Sequence, residues 1–305
     1  MIGMEITAEM VKDLRERSGA AIMDCKKALV EAGGDFEKAF EVLRQRGITA
    51  ASKKATRSVS EGLVTGKVSA DGKVGVIIEI ACETDFVARN PEFIAACNAI
   101  VDTAFLGHRP ATVDELLEMN IEGGLGTVKD FINEKIAKTG ENIVVQRISV
   151  MDLGDKHGAI GLYLHSLGGK MGALLKLEST TAIDAVEATA LAREIAMHAV
   201  SAKPQFLSRD QVPKEIIENE HRIESGKADL ADKKPEIREK IITGRVDKII
   251  AERCLLEQPF VKDPGKTVAQ YLKEKGKPAG AELTPTGLAL FILGESQDQN
   301  NNGLH

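Results

Sequence analysis

Residues 62–82 read GLVTGKVSADGKVGVIIEIAC. Two β-rich runs, 62–68 and 73–82, are joined by Asp71-Gly72, a dipeptide that takes up the positive-φ backbone of a tight hairpin turn. Before this stretch the apolar residues recur every three or four positions; inside it the period falls toward two, so a helical segment gives way to sheet. Beyond Cys82 the helical period returns. Asn90 caps a helix with Pro91 in its first turn, and Phe93, Ile94, Cys97, Ile100, Val101 and Phe105 fall on its apolar side. A short helix over 113–119, an amphipathic helix over 124–138 closed by Gly140, and a strand over 143–150 complete the set.

The same order recurs further along. Strands are expected at 159–165 and 173–177 around Gly168-Gly169. A long helix follows over 182–200, then a helix over 268–275 stopped by Gly276 and a strand over 288–293. Hairpin, long helix, later helix, glycine and strand thus appear twice, which predicts an α+β core of two related subdomains. Into the second copy is inserted a helical hairpin at about 210–256, with Ile216, Ile217 and Ile223 on its first helix and Ile237, Ile241, Ile242, Val246, Ile249 and Ile250 on its second. Steps of three and four fit one apolar seam between two antiparallel helices.

Upstream, residues 1–57 read as three short helices: 8–17 capped by Thr7, 24–32 ended by Gly33-Gly34, and one capped by Asp35 and ended by Gly47. The stretch 48–57 is small and basic and is expected as a helical turn and a linker. The expected domains are therefore 1–57, 58–152, 153–293 with the arm, and a polar tail, 294–305, expected to be disordered.

Composition narrows the function. At 305 residues, with 43% hydrophobic and 28% charged residues, the chain reads as a soluble protein of two or three domains. Its longest apolar run, 287–294, is far shorter than the ~20 residues of a membrane span. Residues 1–7 hold no basic residue, so neither a secretory signal nor a transit peptide is expected and a cytoplasmic location is. The net charge is −6; residues 1–57 carry eleven basic and nine acidic side chains, which leaves the remainder acidic. No nucleic-acid binding is expected from that balance, nor from 4% aromatic content without Trp. Cys25, Cys82, Cys97 and Cys254 are scattered, and the six histidines form no ligand cluster, so no metal or cofactor is expected. No phosphate loop, dinucleotide fingerprint or nucleophile elbow occurs, and an enzyme is not expected.

One segment stands apart: Cys82-Glu83-Thr84-Asp85-Phe86-Val87-Ala88-Arg89-Asn90-Pro91. The residues alone allow two readings. In one, Thr84 or Asp85 caps a helical turn and Phe86 packs in the core. In the other, Phe86 is an exposed wedge that enters a partner, with Asp85 competing there for a hydrogen bond or a cation.

The run 84–90 resembles the Thr-Asp-Phe-Val segment of the bacterial translation elongation factor Ts family. Residues 14–20 with 23–29 resemble that family's N-terminal signature. Gly140-Glu141-Asn142-Ile143, Ile195-Ala196-Met197-His198 followed by Pro204, and Gln258-Pro259-Phe260-Val261 match in the same order, over roughly residues 4–293. The resemblance implies a ubiquitin-associated (UBA)-like N-terminal module, two related α+β subdomains and a coiled-coil arm. It implies guanine nucleotide exchange on the GTPase EF-Tu, with preference for its nucleotide-free state. By position, Thr84, Asp85, Phe86 and Val87 would dislodge Mg²⁺ from the partner. Arg15, Ile22 and Met23 would dock on its nucleotide-binding domain, with Gly140 and His165 at further contacts. The polar tail departs from family members that end in an amphipathic helix. The alternative is a helical adaptor without exchange activity, and self-association into a homo-oligomer is left open by the residues.

Overall fold

The computed structural model describes residues 6–18, 20–124, 126–165, 168–230 and 234–295. The fold is α+β. In chain order come α1 (Ala8–Ser18), α2 (Ile22–Glu31), α3 (Phe36–Ser52), β1 (Glu61–Val68), β2 (Val74–Cys82), α4 (Asp85–Ala88), α5 (Pro91–Leu106), α6 (Val113–Glu118), α7 (Val128–Thr139) and β3 (Ile143–Asp152). There follow β4 (His157–Leu164), β5 (Met171–Ser179), α8 (Ala185–Ala202), α9 (Lys214–Ser225), α10 (Pro235–Arg253), β6 (Pro259–Phe260), β7 (Asp263–Thr267), α11 (Val268–Gly276) and β8 (Leu283–Ile292). Among the described residues no helix is long and apolar enough to cross a membrane. The polar tail expected to be disordered lies, from 296 on, outside the described residues, as do positions 231–233 of the arm's turn.

The described chain divides into two compact units, one of 6–67, 76–150 and 168–170, the other of 68–75, 151–165 and 171–295. In the first, strands run in the order β1-β2-β3. Every residue of β2 from Gly75 to Cys82 is buried, so this strand is covered on both faces. Val76, Ile78, Ile80 and Cys82 meet Phe93, Cys97, Ile100 and Val101 of α5, Ile132 and Ile136 of α7, and Ile143 and Val145 of β3. The odd face carries Glu79, whose charge is met by Arg147 of β3 at 2.6 Å. The three N-terminal helices close on a small core of Val11, Leu14, Cys25, Ala28, Leu29 and Ala39.

In the second unit an antiparallel sheet runs β4-β5-β8, backed by α8 and α11 through Ala173, Leu175, Leu177, Ala192, Ile195, Val268 and Leu272. The two sheets share one unusual detail. Gly62, with φ 148°, sits where a Cβ would lie 2.2 Å from the Ile80 carbonyl oxygen; Gly158, with φ 125°, sits where a Cβ would lie 2.1 Å from that of Leu177. Both are near the start of the first strand of a hairpin and face the second, and only a residue without a side chain fits either place. Likewise α7 and α11 both begin with a capping box, Thr127 with Asp130 and Thr267 with Gln270. The arm helices α9 and α10 close around Phe206, Val212, Leu230, Ile242, Val246, Ile250 and Cys254.

Several boundaries differ from expectation. Gly47 does not end the third helix, which continues to Ser52 because α3 packs on α7 there; a Cβ at Gly47 would lie 3.5 Å from the Asn133 backbone, an ordinary van der Waals contact. The amphipathic helix expected from 124 begins at Val128, because the capping box fixes its first turn. The second helix starts two residues early, which brings Ile22 and Met23 into it. The last strand begins at Leu283, not 288. Pro285 is tolerated because β8 is an edge strand and its register shifts opposite Lys176/Leu177. Gly276 is still helical, and the positive φ that ends the segment belongs to Gly280. Ile223 and Ile237, expected in the arm's seam, are exposed. The short pair β6 and β7 carries no signal in the sequence: β6 has two residues, too few for any period, and β7, Asp-Pro-Gly-Lys-Thr, has no large apolar side chain to alternate.

Candidate partner-binding surface

The buried run of β2 ends at Cys82, and the next eight residues contain two helix caps. Thr84 is the N-cap of α4, its Oγ1 accepting from the Val87 N–H at 3.4 Å, and Asn90 is the N-cap of α5, accepting from the Glu92 N–H at 2.9 Å. Only five residues separate the caps, so the chain makes one helical turn and reverses into α5, with Pro91 supplying a preset φ at N1. One turn cannot bury all its sides. Val87 faces inward at 5% exposure, and Phe86 faces out at 80%. The reading in which Phe86 packs in the core is thereby excluded. Asp85 is exposed and lies 3.3 Å from the exposed Arg89, an (i, i+4) pair of little energetic weight in water.

The turn is fastened from beneath. Glu141, which follows the left-handed C-cap Gly140 of α7, accepts from the Thr84 N–H (3.0 Å) and from Thr84 Oγ1–H (2.7 Å). Glu83 accepts from the Asn142 N–H (2.6 Å) and from Arg57 (3.4 Å), while Asn142 Nδ2 donates to the Arg57 carbonyl (3.0 Å). The Cys82 thiol donates to the Thr84 carbonyl at 3.3 Å; burial, with the Glu141 charge adding to it, pushes its pKa up to about 12, so it stays protonated. Phe86 therefore stands on a short turn tied to the strand beneath it.

The other candidates fall into place as follows. Arg15 is exposed on α1. Ile22 and Met23, in the first turn of α2, are 52% and 62% exposed, large apolar side chains left without a core. Gly140 is exposed, has φ 81°, and its carbonyl accepts from Arg57 at 3.5 Å. The structure thus brings Thr84–Val87 and the Gly140 corner together through Glu83 and Glu141, whereas Arg15 on α1 and Ile22 and Met23 on α2 are exposed side chains of the N-terminal helices. His165, in the second unit, is half-buried just after β4, its Nδ1 3.1 Å from the Tyr163 hydroxyl and its N–H bonded to the Met171 carbonyl. Among the described residues no group of three or more His, Cys, Asp or Glu side chains is arranged around a common metal position.

Sequence reasoning did not single out Glu141 and Arg57 as supports of the turn. They are 57 and 26 residues from their partners in the chain, a separation at which no local spacing carries a signal.

A family model described as "Elongation factor TS" matches residues 83–295, beginning at the fastened turn. Proteins named "Elongation factor Ts" align over nearly the whole chain. That of Syntrophotalea carbinolica is 41% identical over 299 residues, covering 98% of this chain and 96% of its own. That of Nostoc is 40% identical over 306 residues, covering 98% and 95%, and that of Clostridium kluyveri 44% over 292 residues, covering 95% and 93%. With both units and the exposed turn inside the alignment, this chain belongs to the elongation factor Ts family.

Proposed function

We propose that the chain is a guanine nucleotide exchange factor for the translational GTPase EF-Tu in the cytoplasm, acting as a binding protein that makes and breaks no covalent bond. The observation that carries this reading is Phe86: an aromatic ring 80% exposed beside a carboxylate, on a turn anchored at its N-cap. What sets this ring apart from an apolar residue exposed singly on a surface is its mounting: the turn that carries it is held at the Thr84 N–H and hydroxyl by Glu141, so the ring meets a partner in a fixed direction.

The mechanism is one of linkage. A GTPase holds GDP by backbone N–H groups around the phosphates and by bound Mg²⁺. A factor that binds the nucleotide-free state better than the nucleotide-bound one must weaken GDP binding by the same coupling free energy. A thousandfold effect needs ~4 kcal/mol of differential binding. Burial of one aromatic such as Phe86 supplies ~2–3 kcal/mol. The remainder falls to a broader surface, for which Arg15, Ile22, Met23, Gly140 and His165 are the proposed contacts. In this mechanism Asp85, freed from Arg89, and Phe86 disturb the Mg²⁺ side of the partner's pocket, with Thr84 and Val87 setting their orientation.

The adaptor alternative requires residues 1–57 to act alone. Against it, α3 is tied to α7 by Arg44 with Asp130 at 2.7 Å and by Lys54 with the Ile136 carbonyl at 3.2 Å, so the N-terminal helices are held within the first unit.

The test is release of a fluorescent GDP analogue from EF-Tu. Substoichiometric chain is expected to accelerate release in the presence of excess GTP. A release rate that stays flat across the titration rejects the proposal.

A further inference from the structure

Two carboxylates cross between the end of β2 and the start of β3, each taking the backbone N–H next to the other. Glu141 accepts from the Thr84 N–H and hydroxyl (3.0 and 2.7 Å), and Glu83 accepts from the Asn142 N–H (2.6 Å). With the Cys82 thiol on its carbonyl (3.3 Å), Thr84 is held at its N–H, its hydroxyl and its carbonyl, while the hydroxyl in turn caps α4. A helix of four residues is too short to hold itself, because one turn fixes several dihedrals for very few hydrogen bonds. The direction in which Asp85 and Phe86 point is thus set by what grips Thr84.

We propose that Glu141 is a positioning residue for nucleotide exchange, acting through Phe86. This rests on the exchange reading above and deepens it. A ring on a rigid turn collides with a partner whose nucleotide pocket is filled and fits one whose pocket is empty. A ring on a loose turn bends aside and fits both. Acceleration depends only on the difference in affinity between those two states, so loosening the turn lowers the acceleration more than it lowers the overall affinity, which Ile22, Met23 and the other contacts still supply. Glu141 has the geometry for this: its two oxygens take two different donors of one residue, and it adjoins Gly140, whose left-handed conformation turns the chain toward Thr84.

The experiment is a titration of EF-Tu loaded with fluorescent GDP by the full chain and by Glu141→Ala, Glu141→Gln, Phe86→Ala and the double variant. Maximal release rate and half-saturating concentration are read separately. Glu141→Ala is expected to lower the maximal rate by ~10-fold, ~1.4 kcal/mol, with the half-saturating concentration within about threefold. Glu141→Gln, whose Oε1 still accepts from the Thr84 N–H, is expected to recover most of that loss. Added to Phe86→Ala, the Glu141→Ala change is expected to cost less than about twofold, since the ring through which it acts is gone. Amide exchange is expected to quicken at Thr84 and Val87 and not along β2. An unchanged maximal rate in Glu141→Ala, an equal loss in the presence and absence of Phe86, or faster exchange throughout β2 overturns the proposal. A wild-type chain that accelerates nothing rejects the exchange reading beneath it, which is a different result.

Discussion

Acidification is predicted to loosen the second unit through one side chain, His198. This residue of α8 is buried and has both ring nitrogens occupied. Nδ1 accepts from the Val261 N–H at 3.2 Å, so the ring proton sits on Nε2, which donates to Gln258 Oε1 at 3.0 Å. The Gln258 amide nitrogen donates to the carbonyls of Glu252 (2.7 Å) and Ala202 (3.3 Å), which fixes its orientation and joins α8 to the end of α10. A second ring proton would point at the Val261 N–H, setting donor against donor. Burial lowers the pKa of His198, an effect the Gln258 hydrogen bond only partly offsets. A histidine whose folded pKa lies below its unfolded value of ~6.5 contributes stability above that value and loses it as pH falls toward the folded pKa. The loss is about 1.4 kcal/mol per pH unit across that window, hence at most about 2 kcal/mol at about pH 5. The readout is built in: the chain has no Trp and two Tyr, and Tyr163 and Tyr271 both lie in the second unit. Tyr271 is stacked at 4.3 Å on Phe260, whose ring is 5.7 Å from His198. Urea unfolding followed by tyrosine emission is therefore expected to show a lower midpoint at about pH 5 than at about pH 7. His198→Phe is expected to be less stable at neutral pH, because the Val261 N–H and Gln258 Oε1 lose their partner at ~1–3 kcal/mol per buried group, and to show a flatter pH response. Equal wild-type midpoints at the two pH values, or an undiminished slope in His198→Phe, refute the reasoning.

Three further outcomes are expected. Phe86→Ala should slow exchange by ~30-fold, from the loss of about 2 kcal/mol of apolar burial in the complex, with the unfolding midpoint of the free chain unchanged; a fall in stability without a fall in exchange counts against the exposed ring as the working part. Asp130→Ala should destabilise the first unit by ~1–2 kcal/mol, because it removes half of a capping box and the partner of Arg44. Burial opposes ionisation of Asp130, but the hydrogen bonds from Arg44 and Thr127 outweigh it and hold its pKa down, so its contribution is present above ~3.9 and lost as pH falls below; chemical denaturation at neutral and acidic pH reads both effects. Gly62→Ala and Gly158→Ala should each cost more than ~2 kcal/mol in their own unit, since a methyl group would meet a strand carbonyl at 2.2 or 2.1 Å; circular dichroism melts that leave either variant at the wild-type midpoint would show that the strands shift to make room.

The elements that were legible in the sequence are those whose cause is local. Asp71-Gly72 announced the hairpin, Asn90-Pro91 opened α5 and Asp35 capped α3, because a turn or a cap involves residues within four positions of one another. The repeated order of elements, and so the α+β core, followed from period and punctuation alone. Boundaries failed where packing replaced local preference. Gly47 and Gly276 look like helix stops, yet both are helical and lie against another backbone segment. Pro285 looks like a strand breaker until its place at a sheet edge is known.

The candidate site divides along the same line. By itself the sequence determined that a short acidic and aromatic turn follows a buried strand, because that needs only a β-run, a threonine cap and an asparagine cap in order. Whether Phe86 faces the core or the solvent was decided by tertiary structure: a single helical turn has no periodic face, and the inward side was taken by Val87 against α5 and β2. The grip of Glu141 on Thr84 likewise exists only because β2 ends where β3 begins, which places side chains 57 positions apart within hydrogen-bonding distance. Local chemistry sets what a segment can become, and the neighbours brought to it by the rest of the chain set which way it points.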